Sequence, residues 1–519
     1  MSRVRSVNTK PEILLRKALW AKGIRYSINN LQLRGKPDLI LPSRRVAIFV
    51  DGDLWHGNQW HRRGKRALED QFKSTRSSSY WVKKIRRNIQ RDCEVTNDLM
   101  RQGWTVLRFW ESDIEENLDR CVEITLRTMK KKDRYHPSSL LPRKSFAEFF
   151  AGIGLVRMAL ELHGWNARFA NDIDEKKNRM YEAHFGEPLI IKDVADFVPG
   201  DIPNVTLATA SFPCNDLSLA GSRGGLKVGS SAAFWDFIKV LGYFGAHKSP
   251  LILLENVPGF LTSNNGLDLR DALLALNELG YVVDIFMLDA VHFVPHSRKR
   301  LFVVGALDSL VPQSKKVGQN ILESIVRPKA LVEFMRTNSD IRWEIRNLPD
   351  PPKRTSTLQD VLDDLPEDAA DWWSKKRVDY LLKQMSSTHR AQVRKMIEGR
   401  NWAYGTVFRR MREGRSMAEL RTDGIAGCLR TPRGGSGRQI LIKAGKGKCS
   451  VRLLNAKDAA RLMGADAFQT SGSRNQALFG FGDAVCVPVV EWIAQYYLNP
   501  LVNELIHSVP LIGNGNHSH

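Results

Sequence analysis

The chain has 519 residues, enough for two or three domains that each bury a core of their own. Lys and Arg number 78 against 56 Asp and Glu, and the formal net charge of +22 favours a polyanionic partner, above all nucleic acid. A secreted or membrane protein is disfavoured, because no signal peptide or run of transmembrane length is seen and no cysteines are spaced as C-x-x-C. We therefore expect a reduced, cytoplasmic protein that does not enter membranes.

Residues 1–130 hold the predicted elements of a first module. Thr9-Lys10-Pro11-Glu12 has the form of a helix-capping box with proline in the first turn. The further predicted elements are strands at 38–41, 46–50 and 106–110 and a long basic helix at 79–102. The charged segment 131–144 has no apolar period and is the predicted linker to the rest of the chain.

Four short motifs lie along this first module. They are Gly35-Lys36-Pro37-Asp38, Phe49-Val50-Asp51-Gly52, Leu54-Trp55-His56-Gly57 and Tyr80-Trp81-Val82. Together they resemble the very short patch repair endonucleases, which nick DNA at T·G mismatches. The resemblance implies a restriction-endonuclease-like α/β domain with Glu12, Asp38, Asp51 and His56 as catalytic residues. His56 would be a general base or acid, and Trp55 and Trp81 would wedge into the mismatch. Glu12 has the alternative role of only closing the capping box.

Asp38 and Asp51 stand near the ends of the first two predicted strands. A hairpin centred on Arg44-Arg45 would place the two acids opposite each other, close enough to share a cation. Carboxylate oxygens are ligands that Mg²⁺ prefers, and Mg²⁺ would activate water and stabilise the transition state of strand cleavage. The sequence therefore predicts a magnesium site formed by Asp38 and Asp51, with two solvated strand ends as the alternative.

The structural zinc site that the family resemblance implies is largely missing from this chain. Asn58, Trp60 and Ser112 occupy three of the ligand positions, and only Asp92 remains. We therefore expect no zinc in the first module. A further departure is Asp51, which stands where some members of the family have histidine.

From Ser145 onward, predicted strands and helices alternate. The predicted strands are 145–150, 168–171, 205–210, 251–255 and 301–304, and the first helix is 155–163. Such alternation indicates a parallel sheet with helices on both faces. Between 307 and 449 a polar, basic insertion breaks the pattern, and we expect no further sheet beyond it. Helices at 452–463 and 487–497 are predicted to close the domain within 450–505, and 506–519 reads as a disordered tail.

Residues suited to group transfer fall at the ends of the predicted strands. Phe150-Ala151-Gly152-Ile153-Gly154 is a glycine loop that lets a ligand approach the backbone closely, and Pro213-Cys214 follows an apolar strand. Glu255 ends another apolar strand, where desolvation would raise its pKa. Arg298 and Arg300 come next. The order and spacing of these motifs resemble the DNA cytosine-5 methyltransferases from about Phe146 to about Leu498, with the catalytic part at 145–306.

The resemblance implies methyl transfer from S-adenosylmethionine to C5 of a cytosine that has been flipped out of the duplex. Cys214 would add to C6 and make C5 nucleophilic, while Glu255 would contact N3 and the exocyclic amine. Arg298 and Arg300 would brace the base, although a basic loop that touches phosphate is the alternative for both. The thiolate is the reactive form, so the site has to lower the pKa of Cys214 or supply a base.

The same resemblance implies a cofactor site along the glycine loop. Asp172 would bind the ribose, Ile173 would pack on the adenine and Asp193 would meet the adenine amine. A plain surface acid is the alternative for Asp172. The full set of implied cofactor positions is Phe150, Ala151, Gly152, Ile153, Gly154, Asp172, Ile173, Asp193, Val194, Pro213, Asp483, Ala484 and Val485. Asp483 stands where asparagine is usual and adds a charge beside the methionine part of the cofactor.

The insertion at 307–449 matches the family's target-recognition region in position. Its Gly/Arg loop contains Arg430, Arg433 and Arg438, which we expect to present guanidinium groups to guanine edges. A solvated loop is the alternative, and the recognised DNA sequence does not follow from these residues.

The two modules predict one bifunctional DNA enzyme, a prokaryotic cytoplasmic protein associated with the nucleoid. It would methylate cytosine and nick the T·G mismatch that arises when the methylated base deaminates. One alternative is a single-chain restriction–modification enzyme that cuts unmethylated DNA. Another is a first module that only binds DNA. ATP-driven cleavage is not expected, because no P-loop or helicase motif is seen.

Overall fold

The structure is a computed structural model of the whole chain. It describes residues 7–28, 33–56, 59, 63, 71–73, 75, 77–102, 104–130, 144–197, 201–214, 217, 225–227, 229–243, 248–311, 323–412, 414–430, 438–470 and 473–508. The predicted linker, apart from Lys144, lies outside the described residues.

Three β-sheets organise the described residues. Their strands are β1 Leu39–Leu41, β2 Val46–Asp51, β3 Thr105–Trp110, β4 Ser145–Phe149, β5 Asn166–Asp172, β6 Ile190–Ile191, β7 Leu207–Ala210, β8 Leu251–Asn256, β9 Tyr281–Asp289, β10 Lys299–Leu307, β11 Ala403–Arg412, β12 Arg415–Arg421, β13 Ile440–Gly445 and β14 Lys448–Leu453.

Helices cover these sheets and connect their strands. They are α1 Lys10–Ala21, α2 Ser78–Arg101, α3 Glu111–Glu116, α4 Leu118–Lys130, α5 Leu155–Leu162, α6 Glu175–Phe185, α7 Ala233–Tyr243, α8 Gly259–Thr262, α9 Leu267–Glu278, α10 Lys329–Thr337, α11 Leu358–Val361, α12 Lys375–Lys383, α13 Ser387–Glu398, α14 Ala456–Leu462, α15 Arg474–Asp483, α16 Val487–Ile493 and α17 Asn499–Ser508. Helix α17 extends three residues into the predicted tail, and the rest of that tail lies outside the described residues.

The first sheet has the order β1-β2-β3, with β1 antiparallel and β3 parallel to β2. The register of β1 and β2 contradicts the prediction that Asp38 and Asp51 lie opposite each other. Leu39 pairs with Ile48, so Asp38 and Asp51 are two residues out of alignment and do not face each other across the ladder. The error arose at the turn, because a 3-10 turn at Pro42–Arg44 moves the centre of the hairpin back by one residue.

The second sheet has the order β6-β5-β4-β7-β8-β10-β9. The first five strands in this order are parallel, as predicted, but β10 runs antiparallel to both of its neighbours, so the sheet is mixed. The antiparallel direction decides where the arginines lie. The beginning of β10 meets the edge at which the parallel strands end, and this brings Arg298 and Arg300 to the same edge as Cys214 and Glu255.

The third sheet lies mainly in the recognition insertion, where the sequence showed only a break in the alternating pattern and no strand was predicted. It has the antiparallel order β12-β11-β13-β14. Neither β11 nor β12 reads as an apolar run in the sequence, because arginines lie within or at the ends of both strands, at Arg409, Arg410, Arg412, Arg415 and Arg421. The helix predicted to begin at residue 452 begins later, because the first residues of that prediction belong to strand β14. Helix α14 begins at Ala456, and Asn455 is its N-cap residue in a capping box.

The closing segment is apolar because it fills the core beneath the second sheet. Within the described residues, only the stretch Asn475–Glu504 is long and apolar enough to cross a membrane by length and composition. Two-thirds of its most apolar window is buried inside the protein. Trp492, Tyr497 and Leu501 pack into the cluster that contains the core residues of β4 and α5. The apolar character is therefore accounted for by core packing.

Glu148 gives the fold a testable pH dependence. Its side chain lies in β4 with only 2% exposed, and burial, outweighing the attraction of Arg157, raises its pKa from 4.5 to about 8. An acid whose pKa is higher in the folded state stabilises the fold most below its unfolded pKa, and that contribution is lost as the pH rises towards 8.

We predict that Glu148→Gln removes this loss. Between pH 5.5 and 8.5 the native protein should lose more unfolding free energy than the variant, by at most a few kcal/mol since one pKa unit corresponds to about 1.4 kcal/mol. Denaturant unfolding of both proteins at the two pH values measures the difference. Equal losses would show that Glu148 is ionised at little cost.

Candidate active sites

The predicted catalytic and cofactor-binding residues of the second sheet lie at one edge of that sheet. The glycine loop follows β4, Asp172 ends β5, Cys214 follows β7 and Glu255 lies near the end of β8. Open α/β sheets bind ligands outside the carboxyl ends of their parallel strands. The structure therefore brings together the predicted cysteine, acid, arginines and glycine loop, which are far apart in sequence.

The turn that carries Cys214 is held by two buried side chains. Ser231 Oγ donates to the Pro213 carbonyl at 2.9 Å, and Asn256 Nδ2 donates to the Phe212 carbonyl at 3.2 Å. The sequence analysis assigned no role to Ser231 or Asn256. Asn256 could have been found as the residue after Glu255 in a motif already singled out, whereas Ser231 lies in a segment without any motif.

Glu255 and Arg300 form the central ion pair of this edge. Arg300 Nε lies 2.9 Å from Glu255 Oε1, and both side chains are largely buried. Burial raises the pKa of Glu255, although Arg300 and Arg298 counteract part of the effect. A carboxyl that is easily protonated and braced by a guanidinium is suited to hydrogen bonding with a heterocyclic base.

Arg298 connects segments that are distant in sequence. Its guanidinium donates to the carbonyls of Leu429 at 3.1 Å, Gly482 at 3.0 Å and Ala484 at 2.6 Å. His296 accepts from Leu429 N at 3.1 Å and lies 3.1 Å from the Leu462 carbonyl through Nδ1. Through these bonds, Arg298 and His296 connect two regions to the edge of the second sheet. One is the start of the Gly/Arg loop, and the other is the closing segment 450–505.

Two thiols lie around the arginine pair. Burial raises the pKa of Cys214, and this effect outweighs the positive charge of Arg300, which acts to lower the pKa. Cys428 Sγ lies 3.7 Å from Arg298 Nη1, and although burial acts to raise its pKa, His296 and the arginines lower it well below 9. The sequence analysis missed Cys428, because only the fold brings it to the arginines. The thiol with the lowered pKa is thus Cys428 and not the predicted nucleophile Cys214.

The glycine loop is shaped to admit a ligand. Phe150 and Gly152 both have positive φ, and a side chain built on Gly152 would meet nothing within 4 Å. Gly152 N donates to Asp172 Oδ2 at 2.8 Å, which fixes the acid beside this open position. Ile173, the next residue, has 65% of its surface exposed, although it is a large apolar side chain. An open glycine, a fixed acid and an exposed isoleucine suit a nucleoside.

The remaining predicted cofactor residues occupy the same edge with different local roles. Asp193 Oδ1 accepts from Ala195 N at 3.0 Å and so begins a short 3-10 turn, in which Val194 is buried. Ala151 and Ile153 are buried in the loop, and Gly154 caps α5. At the end of α15, Asp483 lies 3.1 Å from Lys177 Nζ, and Val485 is buried behind it.

The acids of the first module lie close together but do not match the predicted cation site. Glu12 is buried, accepts hydrogen bonds from Asn8 N and Thr9 Oγ1, and also binds Arg16 at 2.8 Å. Thr9 is the N-cap of α1, but the Glu12 side chain does not accept from Thr9 N as a full capping box requires. Asp38 accepts from Val50 N at 2.7 Å. Burial raises the pKa of Asp38 to about 6, with further contributions from the charges of Glu12 and Asp51.

Arg108 takes both carboxylate oxygens of Asp51. Arg108 Nε and Nη2 lie 2.6 and 2.7 Å from Asp51 Oδ2 and Oδ1. In the part of the chain that the structure describes, no group of three or more His, Cys, Asp or Glu side chains is arranged to hold a metal ion. The residues therefore do not fit a Mg²⁺ ion shared by Asp38 and Asp51, since Asp51 is committed to a guanidinium.

His56 has a carboxylate partner that the sequence analysis placed elsewhere. Its Nδ1 makes a short hydrogen bond to Asp92 Oδ2, and Arg108 Nη2 lies 3.2 Å from Asp92 Oδ1. Burial acts to raise the pKa of Asp92, but the hydrogen bond from His56 and the charge of Arg108 lower it overall. Asp92, noted in sequence only as a remaining zinc-ligand position, thus orients the predicted general base.

Ser112 shows what occupies one of the expected zinc-ligand positions. The buried carboxylate of Asp53 accepts hydrogen bonds from Ser112 N at 3.1 Å and Ser112 Oγ at 2.8 Å. These bonds fasten the start of α3 to the turn after β2. Asn58 and Trp60 lie outside the described residues, and the absence of zinc stays a prediction.

The predicted DNA-contacting residues are only partly described. The Trp55 and Trp81 rings are 5.6 Å apart, and Lys84 Nζ lies 5.1 and 5.2 Å from their centroids. Arg430 is exposed, and Arg438 Nη2 donates to Asn475 at 3.0 Å. Arg433 lies outside the described residues. The two tryptophans, predicted to wedge into the mismatch, thus form one continuous aromatic surface.

Comparison with known families decides the identity of the larger part. The family model described as C-5 cytosine-specific DNA methylase matches residues 144–498. The chain belongs to the C-5 cytosine-specific DNA methylases. The DNA mismatch endonuclease Vsr family model matches residues 1–62, so this methylase also carries a Vsr-type endonuclease domain. Both family resemblances and the predicted fold class are thereby confirmed.

Individual relatives match one part of this methylase or the other. The type II nicking enzyme V.NmeDIP of Neisseria meningitidis serogroup C is 43% identical over 128 residues, covering 25% of this chain and 82% of that protein. The type II methyltransferase M.NlaX of Neisseria lactamica is 28% identical over 352 residues, covering 67% and 94%. The solved Entamoeba histolytica methyltransferase EhMeth has a TM-score of 0.49 at 17% identity, covering 69% of this chain and 98% of that one.

We predict that Arg298→Lys destabilises the methylase by about 2 kcal/mol, because a lysine cannot serve three carbonyls on separate segments, and hydrogen bonds to a charged group each contribute about 1.5–3 kcal/mol. Urea unfolding measures the change. Lys299→Arg is the matched control, since Lys299 is an exposed neighbour. A variant as stable as the native protein would show that Arg298 does not fasten these segments.

Proposed function

We propose that the edge of the second sheet transfers the methyl group of S-adenosylmethionine to C5 of a flipped cytosine. The observation that carries the proposal is the Glu255–Arg300 pair beside the Cys214 turn. S-adenosylmethionine supplies an electrophilic methyl group when it is bound. The open Gly152, the fixed Asp172 and the exposed Ile173 are the residues that fit its adenosine part.

Each residue of the edge has a task in this proposal. Cys214 Sγ forms a bond to C6 of the base, and the electron pair that this releases makes C5 nucleophilic. Glu255, with its raised pKa, hydrogen-bonds N3 and so stabilises the charge that develops on the ring. Arg300 holds Glu255 in place. Transfer leaves the cofactor as the neutral thioether S-adenosylhomocysteine. The C5 proton is then lost to solvent, and the C6–sulfur bond breaks to release the Cys214 thiolate and restore the aromatic base.

We predict that Cys214→Ser lowers the transfer of labelled methyl groups to DNA by at least about a thousandfold, because a hydroxyl is a far weaker nucleophile than a thiolate at neutral pH. Cys449→Ser is the control, since Cys449 lies in β14 of the recognition sheet. Incorporation of labelled methyl groups is the measurement. Retention of full activity by the Cys214 variant would contradict the mechanism.

For the first module we propose nicking at T·G mismatches, with His56 as the general base or acid and Asp92 as its orienting partner. The His56–Asp92 hydrogen bond and the neighbouring Trp55–Trp81 pair support this assignment, because a histidine with a carboxylate partner then lies next to an aromatic surface. The relative from Neisseria meningitidis is named as a nicking enzyme. No step of the proposed nicking is assigned to a metal ion, because Arg108 binds both carboxylate oxygens of Asp51.

The decisive experiment uses three duplexes that contain the mapped methylation site, in unmethylated, methylated and T·G form. With Mg²⁺ we expect a nick only beside the mismatched thymine, and its rate should fall at least about a hundredfold in both His56→Ala and Asp92→Asn. Parallel reactions with a chelator show whether a divalent ion is needed.

Two other outcomes would contradict this assignment. Cleavage of the unmethylated duplex that methylation blocks would identify a restriction–modification enzyme. No cleavage of any duplex would leave the first module as a DNA-binding domain. The type II names of the nicking and methyltransferase relatives make the first of these the stronger alternative.

A further inference from the structure

The endonuclease module contacts the methylase at a turn of the cofactor edge. Arg120 Nη2, on α4, donates a hydrogen bond to the Phe197 carbonyl at 3.4 Å. Phe197 ends the short 3-10 turn Val194–Asp196, and the same turn begins at Asp193, the acid predicted to meet the adenine amine. A hydrogen bond between the two modules therefore reaches the turn that holds a predicted cofactor residue.

Charged side chains connect the same two regions. Asp113 lies on α3 of the endonuclease module, where burial raises its pKa and Lys239 of α7 acts in the opposite direction. Burial and then the charge of Asp193 raise the pKa of Asp236, one turn before Lys239 on α7, and Lys239 counteracts them. The ammonium group of Lys239 is thus shared by an acid of the endonuclease module and an acid beside the cofactor turn.

Phe197 connects this contact to the glycine loop. Its ring centroid lies 5.3 Å from that of Phe169 and 6.5 Å from that of Phe149. Phe149 is the last residue of β4, and the glycine loop follows it directly. Because densely packed side chains have little room to move independently, the position of Phe197 and that of the glycine loop depend on each other.

A further contact lies between two helices. Helix α2, which carries Trp81 and Asp92, lies beside α9 of the methylase. Helix α7, which carries Lys239, packs against the 3-10 turn at Asp193. The endonuclease module therefore rests on the methylase at the turn, at α7 and at α9, and the first two of these contacts adjoin the cofactor site.

We propose that this surface couples the two modules: the docked endonuclease module orders the turn at Asp193 and strengthens cofactor binding, and bound cofactor strengthens docking in return. A turn that is ordered in advance loses less conformational entropy when the ligand binds. The effect is reciprocal, because a coupling free energy between two sites acts equally in both directions. This inference rests on the cofactor site proposed above.

The first test is calorimetric titration of the full chain with S-adenosylhomocysteine. Arg120→Ala should weaken binding by about fivefold, at the lower end of typical coupling between sites. Arg120→Lys keeps a donor on α4 and should recover most of the loss. Arg44→Ala, which removes an exposed arginine elsewhere in the endonuclease module, is the matched control and should leave the affinity unchanged. Native affinity in Arg120→Ala would overturn the proposal.

Hydrogen exchange tests the coupling in the other direction. Saturating S-adenosylhomocysteine should slow amide exchange in α4 as well as in the glycine loop, although α4 belongs to the other module. In Arg120→Ala the slowing in α4 should be lost, while that in the glycine loop remains. Exchange in β2 and β3 shows whether the endonuclease module of the variant is folded. If exchange in α4 of the native protein does not respond to the ligand, the proposal is wrong whether or not the variant folds.

Failure of the coupling is distinguishable from failure of the cofactor site. If the ligand slows exchange in the glycine loop but not in α4, only the coupling is wrong. If exchange in the glycine loop does not change, and Asp172→Ala binds S-adenosylhomocysteine as tightly as the native protein, the proposed cofactor site is wrong and the coupling falls with it.

Discussion

The active edge of the methylase depends on the antiparallel direction of β10. Register pairs Phe302 with Glu255, so the start of β10 lies beside the end of β8. Were β10 parallel to β8, its first residues would lie at the opposite edge of the sheet, and Arg300 could not reach Glu255. One reversed strand thus turns residues more than forty positions apart in sequence into an ion pair. Arg298, at the same edge, then fastens the recognition loop and the closing segment to the sheet.

In the endonuclease module, the arrangement of the predicted catalytic residues depends on one side chain, that of Arg108. Arg108 binds both oxygens of Asp51 and also reaches Asp92, which in turn holds His56. Because Asp51 is bound to Arg108, it is not available for the cation site that was predicted from its position in the sequence. His56, the proposed general base, is nevertheless held by Asp92, and the pair of Trp55 and Trp81 lies nearby. Among the residues that the structure describes, the module keeps an arrangement suited to proton transfer, while Asp38 and Asp51 do not form a shared metal site.

The sequence predicted which residues lie at the edge of the methylase sheet, but it did not predict the strand directions and neighbouring residues around them. Cys214, Glu255 and the glycine loop were found because their motifs follow apolar strands, and strand ends are local signals. The strand direction of β10, the recognition sheet and the proximity of Cys428 were not found, since each depends on long-range pairing. The same limit explains the wrong register at Asp38, where a single-residue change in the turn shifted the alignment.

Cys214 and Cys428 both lie beside the arginine pair, and the proposed mechanism requires that Cys214 and not Cys428 attacks the base. A duplex that carries 5-fluorocytosine at the methylation site tests this directly, because fluorine at C5 cannot leave as a proton does and the enzyme stays bonded to C6. Peptide mass spectrometry of the trapped complex identifies the bonded residue. We expect the adduct on the peptide that contains Cys214. An adduct on Cys428, the thiol with the lowered pKa, would contradict the account.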